Sequence, residues 1–185
     1  MRIITGKARG VRLDTLDGLD TRPTSERSKE AIFSMLQFEL EGRVVLDLFA
    51  GSGQMGLEAL SRGARSAYLV DSGKRAIEVI KKNIQKTRLE GANAICSDSL
   101  SFLRRCAEKE KFDIVFLDPP YATELINEAL CVLVEEELIK DTTYLVCESD
   151  RFDFLNAKNA ANFDVIKTMK HGIAHISVLK KKEAI

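Results

Sequence analysis

Apolar residues fall along this chain in two rhythms, and the change between them comes near residue 43. Before it, Ile3-Ile4 and Val11 to Leu13 flank a Gly6 to Gly10 turn rich in Lys and Arg, the pattern of a short hairpin. A loop with Asp, Gly and Pro23 leads into a helix predicted over about Ser25 to Leu40. Thr24 or Ser25 can cap it, and Ile32, Leu36 and Leu40 mark its apolar stripe, with Phe33 and Met35 flanking. From Arg43 onward, short apolar runs alternate with amphipathic stretches. Val44 to Phe49, Ala67 to Val70, Ala94 to Cys96 and Phe112 to Leu117 read as strands. Met55 to Arg62, Lys74 to Thr87, Ser99 to Glu108 and Glu124 to Leu133 read as helices. Tyr144 to Cys147, Val165 to Thr168 and Ile173 to Leu179 supply three late strands. Only Lys170-His171-Gly172 separates the last two, which predicts a C-terminal antiparallel hairpin. The expected fold is α/β and Rossmann-like: a mainly parallel seven-stranded sheet covered by helices on both faces. Residues 43–185 form that domain, and residues 1–42 a small hairpin-plus-helix extension that is not stable by itself.

Composition narrows the class. A chain of 185 residues with 45% hydrophobic and 30% charged content is a globular protein and not a disordered one. No apolar run approaches the roughly 20 residues that cross a bilayer, and MRIITGKARG lacks the apolar core of a secretory signal. Cys96, Cys106, Cys131 and Cys147 are widely spaced with no C-x-x-C pair, so they read as small hydrophobes in a reducing cytoplasm. His171 and His175 have no third ligand near them in sequence, and no metal is expected. The 28 basic and 28 acidic residues cancel, which argues against indiscriminate nucleic-acid binding. The distribution is uneven, however: Arg2, Lys7, Arg9 and Arg12 come without an acidic residue between them, and Arg22, Arg27 and Lys29 follow. The Lys180-Lys181-Lys182 run reads as a solvated tail.

Two strand ends carry candidate chemistry. Phe112 to Leu117 closes on Asp118-Pro119-Pro120-Tyr121. Asp118 and the Pro119 carbonyl can accept hydrogen bonds from an exocyclic amine, and Tyr121 offers a stacking face. The prolines have fixed φ and no amide hydrogen, so the acceptors stay aimed. The plainer reading is a strand ended by a proline turn. The first strand runs into Asp47-Leu48-Phe49-Ala50-Gly51-Ser52-Gly53-Gln54-Met55-Gly56, which fits G-x-G-x-x-G, with Asp71 20 residues beyond Gly51. Glycines there let backbone approach a ligand, and an acidic residue ending the second strand can accept ribose hydroxyls. The pattern specifies an adenosine cofactor without saying which, and a nicotinamide oxidoreductase is one reading. Asp47 favours a ligand with an ammonium group over an anionic pyrophosphate; otherwise it braces the loop or caps the helix. Asp98, with Ser99, can bond an adenine ring, cap the next helix, or both.

Together these elements resemble the class I S-adenosylmethionine-dependent methyltransferases whose fourth strand ends in Asn/Asp-Pro-Pro-Tyr/Phe. Three stretches sharpen the likeness: Arg2-Ile3-Ile4-x-Gly6-x-x-Arg9-Gly10, Arg22-Pro23-Thr24-x-x-Arg27-x-x-Glu30-x-x-Phe33, and Asp47-x-Phe49-Ala50-Gly51-Ser52-Gly53-x-x-Gly56 continuing to Arg62. They are similar to the RsmD family, which methylates the exocyclic N2 of a guanine in bacterial small-subunit (16S) ribosomal RNA. Gln54 departs from the apolar residue common there. The resemblance implies S-adenosyl-L-methionine as cofactor, held by Asp47, Phe49, Ala50, Gly51, Ser52, Gly53, Asp71, Asp98 and Ser99. It implies methyl transfer at Asp118, Pro119, Pro120 and Tyr121. RNA contact falls to Arg2, Lys7, Arg9, Arg12, Arg22, Thr24 and Arg27, in a front section that also closes over the cofactor. These arginines could instead solvate the extension or pair with Asp14, Asp17 and Asp20. The implied partner is small-subunit ribosomal RNA or the assembling subunit, met by a cytoplasmic monomer. Asp-Pro-Pro-Tyr alone also fits adenine N6 methylation in DNA or RNA, or protein glutamine methylation. A binding module without activity is the remaining alternative.

Overall fold

Two strands among the described residues are buried at every position, Val44–Asp47 and Phe112–Leu117. Only the middle of a sheet covered on both faces gives a strand that environment. The computed structural model describes residues 1–16, 26–106, 110–120, 123–171 and 174–182. In chain order the elements are α1 (Glu26–Met35), β1 (Val44–Asp47), α2 (Gln54–Ser61), β2 (Ser66–Asp71), α3 (Lys74–Thr87), β3 (Ala92–Cys96) and α4 (Ser99–Cys106). There follow β4 (Phe112–Leu117), α5 (Thr123–Glu135), β5 (Ile139–Ser149), α6 (Ala157–Asn162), β6 (Phe163–His171) and β7 (Ala174–Lys181). The seven strands lie in the order β3-β2-β1-β4-β5-β7-β6. Strands β1 to β5 pair in parallel, and β7 runs antiparallel to both β5 and β6. The expected α/β sheet with its antiparallel C-terminal hairpin is therefore present.

Where boundaries differ from the apolar pattern, polar residues are responsible. β5 begins at Ile139, well before Tyr144, because Lys140 to Thr143 join the strand through a register shift opposite Phe112 and Ile114. The Thr143 hydroxyl holds that irregularity by donating to the Phe112 carbonyl at 2.7 Å. The α6 helix has no apolar stripe to announce it. Asn156 caps it by accepting from the Asn159 amide at 2.9 Å, and buried Asn159 donates to the carbonyl and side-chain oxygens of Asn127. Helix α1 stops at Met35 rather than Leu40, although Leu36 and Leu40 are still buried beyond its end. Its expected caps, Thr24 and Ser25, lie outside the described residues, as does Gly172 between β6 and β7.

One core layer joins the N-terminal segment and helices α1 to α3 to the sheet, with Ile3, Leu13, Phe33, Leu57, Ile80 and Ile114 in contact. Phe33 meets Phe116 of β4 with ring centroids 5.7 Å apart. The opposite layer packs Phe102, Leu130 and Phe154 on Leu46, Val115 and Leu145. Gly56 brings α2 down onto β2: a Cβ there would sit 2.0 Å from a Leu69 methyl. The described residues among 1–42 thus share the core of the remainder of the chain.

A buried ionic cluster fastens that N-terminal segment. Lys29 of α1 and Glu58 of α2, both with fully buried side chains, meet at 3.2 Å. Glu58 also accepts from the Ile4 and Thr5 amides at 2.8 and 3.0 Å and from Arg62 at 2.8 Å. Lys29 donates to the Arg2 carbonyl at 2.7 Å. Burial pulls the Lys29 ammonium below its ordinary pKa, and Glu58 opposes that shift. Four donors converge on one carboxylate, so its removal orphans a buried charge and two amides together. Glu58→Ala should lower unfolding free energy in urea by about 3–5 kcal/mol, the range for breaking a buried pair. Lys29→Met, which removes the buried charge but leaves Glu58 its other three donors, should cost less.

Candidate active site

The pairing of β1 with β4 puts Asp47 opposite Phe116, and the Leu48 amide continues it by donating to the Phe116 carbonyl at 3.2 Å. The two loops that follow, Phe49 to Gly53 and Asp118 to Pro120, therefore leave neighbouring strands at one rim of the sheet. Strand order reverses at this pair, with β2 and β3 on one side and β5 on the other. That is the switch point where open α/β sheets bind ligands. Asp71 ends β2 at the same rim, level with Cys96, and its carbonyl accepts from the Ser97 amide at 3.0 Å.

Gly51 and Gly53 have φ of 53° and 80°, a left-handed path that glycine takes without strain. A Cβ on Gly51 would meet nothing within 4 Å, so the backbone here faces open space. The Asp71 carboxylate organises the loop: one oxygen accepts from the Gly51 amide at 2.9 Å and the other from Gly73 at 2.8 Å. A carboxylate has about four acceptor positions, so two are left for hydroxyls of a ligand. Asp47 is buried and accepts from the Gly56 amide at 3.1 Å. Ala50 is buried and its amide bonds the Val70 carbonyl at 2.9 Å, whereas Phe49 and Ser52 are partly exposed. Asp98 caps α4, accepting from the Ser101 amide at 3.0 Å, with Ser99 buried beside it. Chiefly that amide bond holds the Asp98 carboxyl below its ordinary pKa. Of the Asp-Pro-Pro-Tyr turn, Asp118 is half-buried, Pro119 buried and Pro120 exposed; Tyr121 lies outside the described residues.

The basic residues do not gather at one place. Arg2 and Arg12 face each other across an antiparallel bridge, and Arg2 reaches Glu26 at 3.5 Å. Arg27, exposed, follows at the start of α1. Lys7 and Arg9 sit at the hairpin tip, where the Lys7 amide donates to the Ser61 carbonyl at 2.8 Å. Ser61 ends α2, whose eight residues separate that tip from the glycine loop by roughly 12 Å. Arg22 and Thr24 lie outside the described residues.

Comparison with known proteins agrees with this architecture. A family described as conserved hypothetical protein 95 matches residues 1–180. Ribosomal RNA small subunit methyltransferase D of Haemophilus influenzae is 37% identical over 153 residues, 82% of this chain and 79% of that protein. YlbH of Bacillus subtilis is 34% identical over 98% of this chain and 100% of its own. Among solved structures, yhhF of Escherichia coli superposes with a TM-score of 0.87 at 31% identity, over 98% of both chains. The chain belongs to the RsmD family of methyltransferases. Membership decides between the two adenosine readings of Gly51-x-Gly53-x-x-Gly56 and sets the oxidoreductase aside.

In this RsmD-family protein, three polar residues near the glycine loop have surroundings that the sequence did not reveal. Buried Asn83 of α3 accepts from the Asp14 amide at 2.8 Å and donates to the Asp14 and Ser52 carbonyls at 3.0 and 2.9 Å. It ties the exit of the N-terminal hairpin to the glycine loop, from the middle of an amphipathic stripe that hid it. Gln54 opens α2 with its side-chain oxygen buried and without a hydrogen-bond partner among the described residues. Glu58 belongs to the recognised stretch, yet nothing in its sequence neighbours reveals that it receives the hairpin. Among the described residues no group of three His, Cys, Asp or Glu is placed to hold a metal, and no helix is long and apolar enough to cross a membrane.

Burial pushes the Asp47 carboxyl up to about 7; the Gly56 amide opposes this and the Asp71 charge adds to it. The folded state therefore binds a proton that the unfolded chain releases near pH 4, and this group's contribution to stability falls as pH rises between those limits. Asp47→Asn should remove that slope. Relative to wild type, its unfolding free energy should rise by up to about 4 kcal/mol between pH 4 and pH 8, measured by urea titration at both. An unchanged difference would mean that Asp47 is ionised throughout.

Proposed function

We propose that this protein transfers the methyl group of S-adenosyl-L-methionine to the exocyclic N2 amine of a guanine in small-subunit ribosomal RNA. The observation that carries the reading is the register of β1 against β4, which sets the Gly51 loop beside Asp118-Pro119-Pro120. Relatives named ribosomal RNA small subunit methyltransferase D support the substrate class.

The residues at the rim fit the cofactor. The open backbone at Gly51 admits a nucleoside, the free acceptor positions of Asp71 suit ribose hydroxyls, and Asp98 with Ser99 lies one strand further along for the adenine. Asp47 suits an ammonium group, which would draw off its proton and favour the ionised form. Once bound, S-adenosylmethionine supplies a sulfonium methyl that departs to an acceptor as the sulfur becomes a neutral thioether. The guanine amine is a poor nucleophile because its lone pair is delocalised into the ring, so the protein's main task is alignment. Asp118 and the Pro119 carbonyl accept from that amine, orient it, and stabilise the positive charge that grows on nitrogen more than the neutral ground state. Tyr121 stacks on the base once it is turned out of its helix or loop. Arg2, Arg12 and Arg27 hold RNA phosphates together with Arg22 and Thr24, and Lys7 and Arg9 reach another part of the RNA. A cytoplasmic enzyme acting on ribosomal RNA follows from this reading.

The deciding experiment incubates the protein and radiolabelled S-adenosylmethionine with small-subunit RNA and with assembled subunits, then locates the label by nuclease digestion and mass spectrometry. Label on a guanine N2 is expected; label on adenine N6 or on protein would overturn the substrate assignment. Asp118→Ala should leave calorimetric affinity for S-adenosylmethionine nearly intact and lower methyl transfer by at least ~100-fold, the scale of losing one oriented electrostatic partner. Asp71→Ala should weaken cofactor affinity first.

A further inference from the structure

One exposed aromatic group lies on the site rim outside the catalytic turn. Phe152, in the loop after β5, is 40% exposed although its ring lies on the His175 imidazole, with centroids 4.2 Å apart and planes 25° from parallel. Register places this pair. Leu117 of β4 is level with Cys147 of β5, the last pair of that ladder, and continuing the register by two residues would bring Pro119 level with Ser149. Ser149 pairs with His175 of β7, and His175 with Lys170 of β6. His175 is thus two strands from Pro119, about 10 Å at 4.8 Å per strand. That is the reach of about three stacked nucleotides.

The surroundings suit a nucleobase. Arg151, next to Phe152 in sequence, and Lys170, opposite His175 in the β6–β7 ladder, are exposed, and neither has a carboxylate partner among the described residues. Asp150 and Asp153 share the Phe152 loop, which leaves phosphate contacts to the outward cations and the ring to a neutral base. The Ser149 hydroxyl donates to the Arg151 carbonyl and fixes the loop start. His175 Nδ1 is buried without a hydrogen-bond partner among the described residues. A purely structural contact would be met better by an apolar ring, which has no nitrogen to orphan.

We propose that Phe152, backed by His175, is a second stacking platform that receives a base flanking the target guanine. This rests on the RNA-methyltransferase reading and adds a specificity-determining surface to it. The base completes a stack begun by the imidazole, and Lys170 and Arg151 take the adjoining phosphates.

The chain contains no tryptophan, so Phe152→Trp introduces a single fluorophore at the platform. Its emission should be quenched on titration with a single-stranded RNA carrying the methylated sequence. Phe152→Ala should raise KM for that RNA roughly 5- to 100-fold, the range for losing one base–aromatic stack. Its kcat, S-adenosylmethionine affinity and melting temperature should change little. Unquenched tryptophan, or an unchanged KM in Phe152→Ala, overturns the platform. So does a defect seen with assembled subunits but not with RNA, since the ring then docks on ribosomal protein. Wild type that methylates no ribosomal RNA while Phe152→Trp is still quenched would instead reject the activity and leave the platform standing.

Discussion

The site exists because β1 and β4 are neighbours although β2 and β3 come between them in the chain. Each right-handed crossover places its helix on one face and returns the chain to the same end of the sheet. Where winding reverses, two loops diverge to opposite faces and leave room between them. The apolar runs Val44–Asp47 and Phe112–Leu117 compete for the most buried positions and win them, having no exposed residue to place at an edge. Burial drives the pairing, and the pairing aligns Asp47 with Phe116. Everything at the rim inherits its position from that register, since a slip of one residue would turn each side chain to the other face.

Around this pair, carboxylates act first on the protein itself. Asp71 spends one lone pair of each oxygen on Gly51 and Gly73, and Asp47 holds Gly56. Such bonds preorganise the loop, so that ligand binding need not order it. Bracing and ligand contact are compatible because a carboxylate accepts several donors. The N-terminal segment is joined to the same loop by another route. Glu58 and Ser61 receive one part of its backbone along α2, and Asn83 receives Asp14 while holding the Ser52 carbonyl. The N-terminal segment thus has a direct mechanical connection to the glycine loop.

The fold and the strand ends that carry the candidate site were legible because their signals are local. Alternating apolar runs gave all seven strands, and Gly51, Gly53, Asp71 and Asp118 stand at strand ends that hydrophobicity alone can locate. What escaped depends on partners distant in sequence. Glu58 meets Ile4, Lys29 meets Arg2, and Asn83 meets both Asp14 and Ser52. Each is a polar residue inside an amphipathic helix, where spacing says only that some face is buried. The α6 helix and the first half of β5 were missed for the converse reason, since asparagines and a threonine hydroxyl hold them together. Phe152 and His175 are separated by 22 intervening residues, and nothing in either neighbourhood announces their stacking.

The position of β7 bears on how the chain assembles. It follows both of its partners in sequence yet lies between them in the sheet, so β6 has no hydrogen-bonded neighbour until β7 arrives. During synthesis from the N-terminus, β1 to β5 can associate in order, whereas β5 keeps an open edge and β6 must wait unpaired. That interval leaves backbone donors and acceptors of β5 available to other chains. Insertion of β7 pairs the open edge of β5 and one edge of β6 in one event, making the final strand the keystone of the sheet.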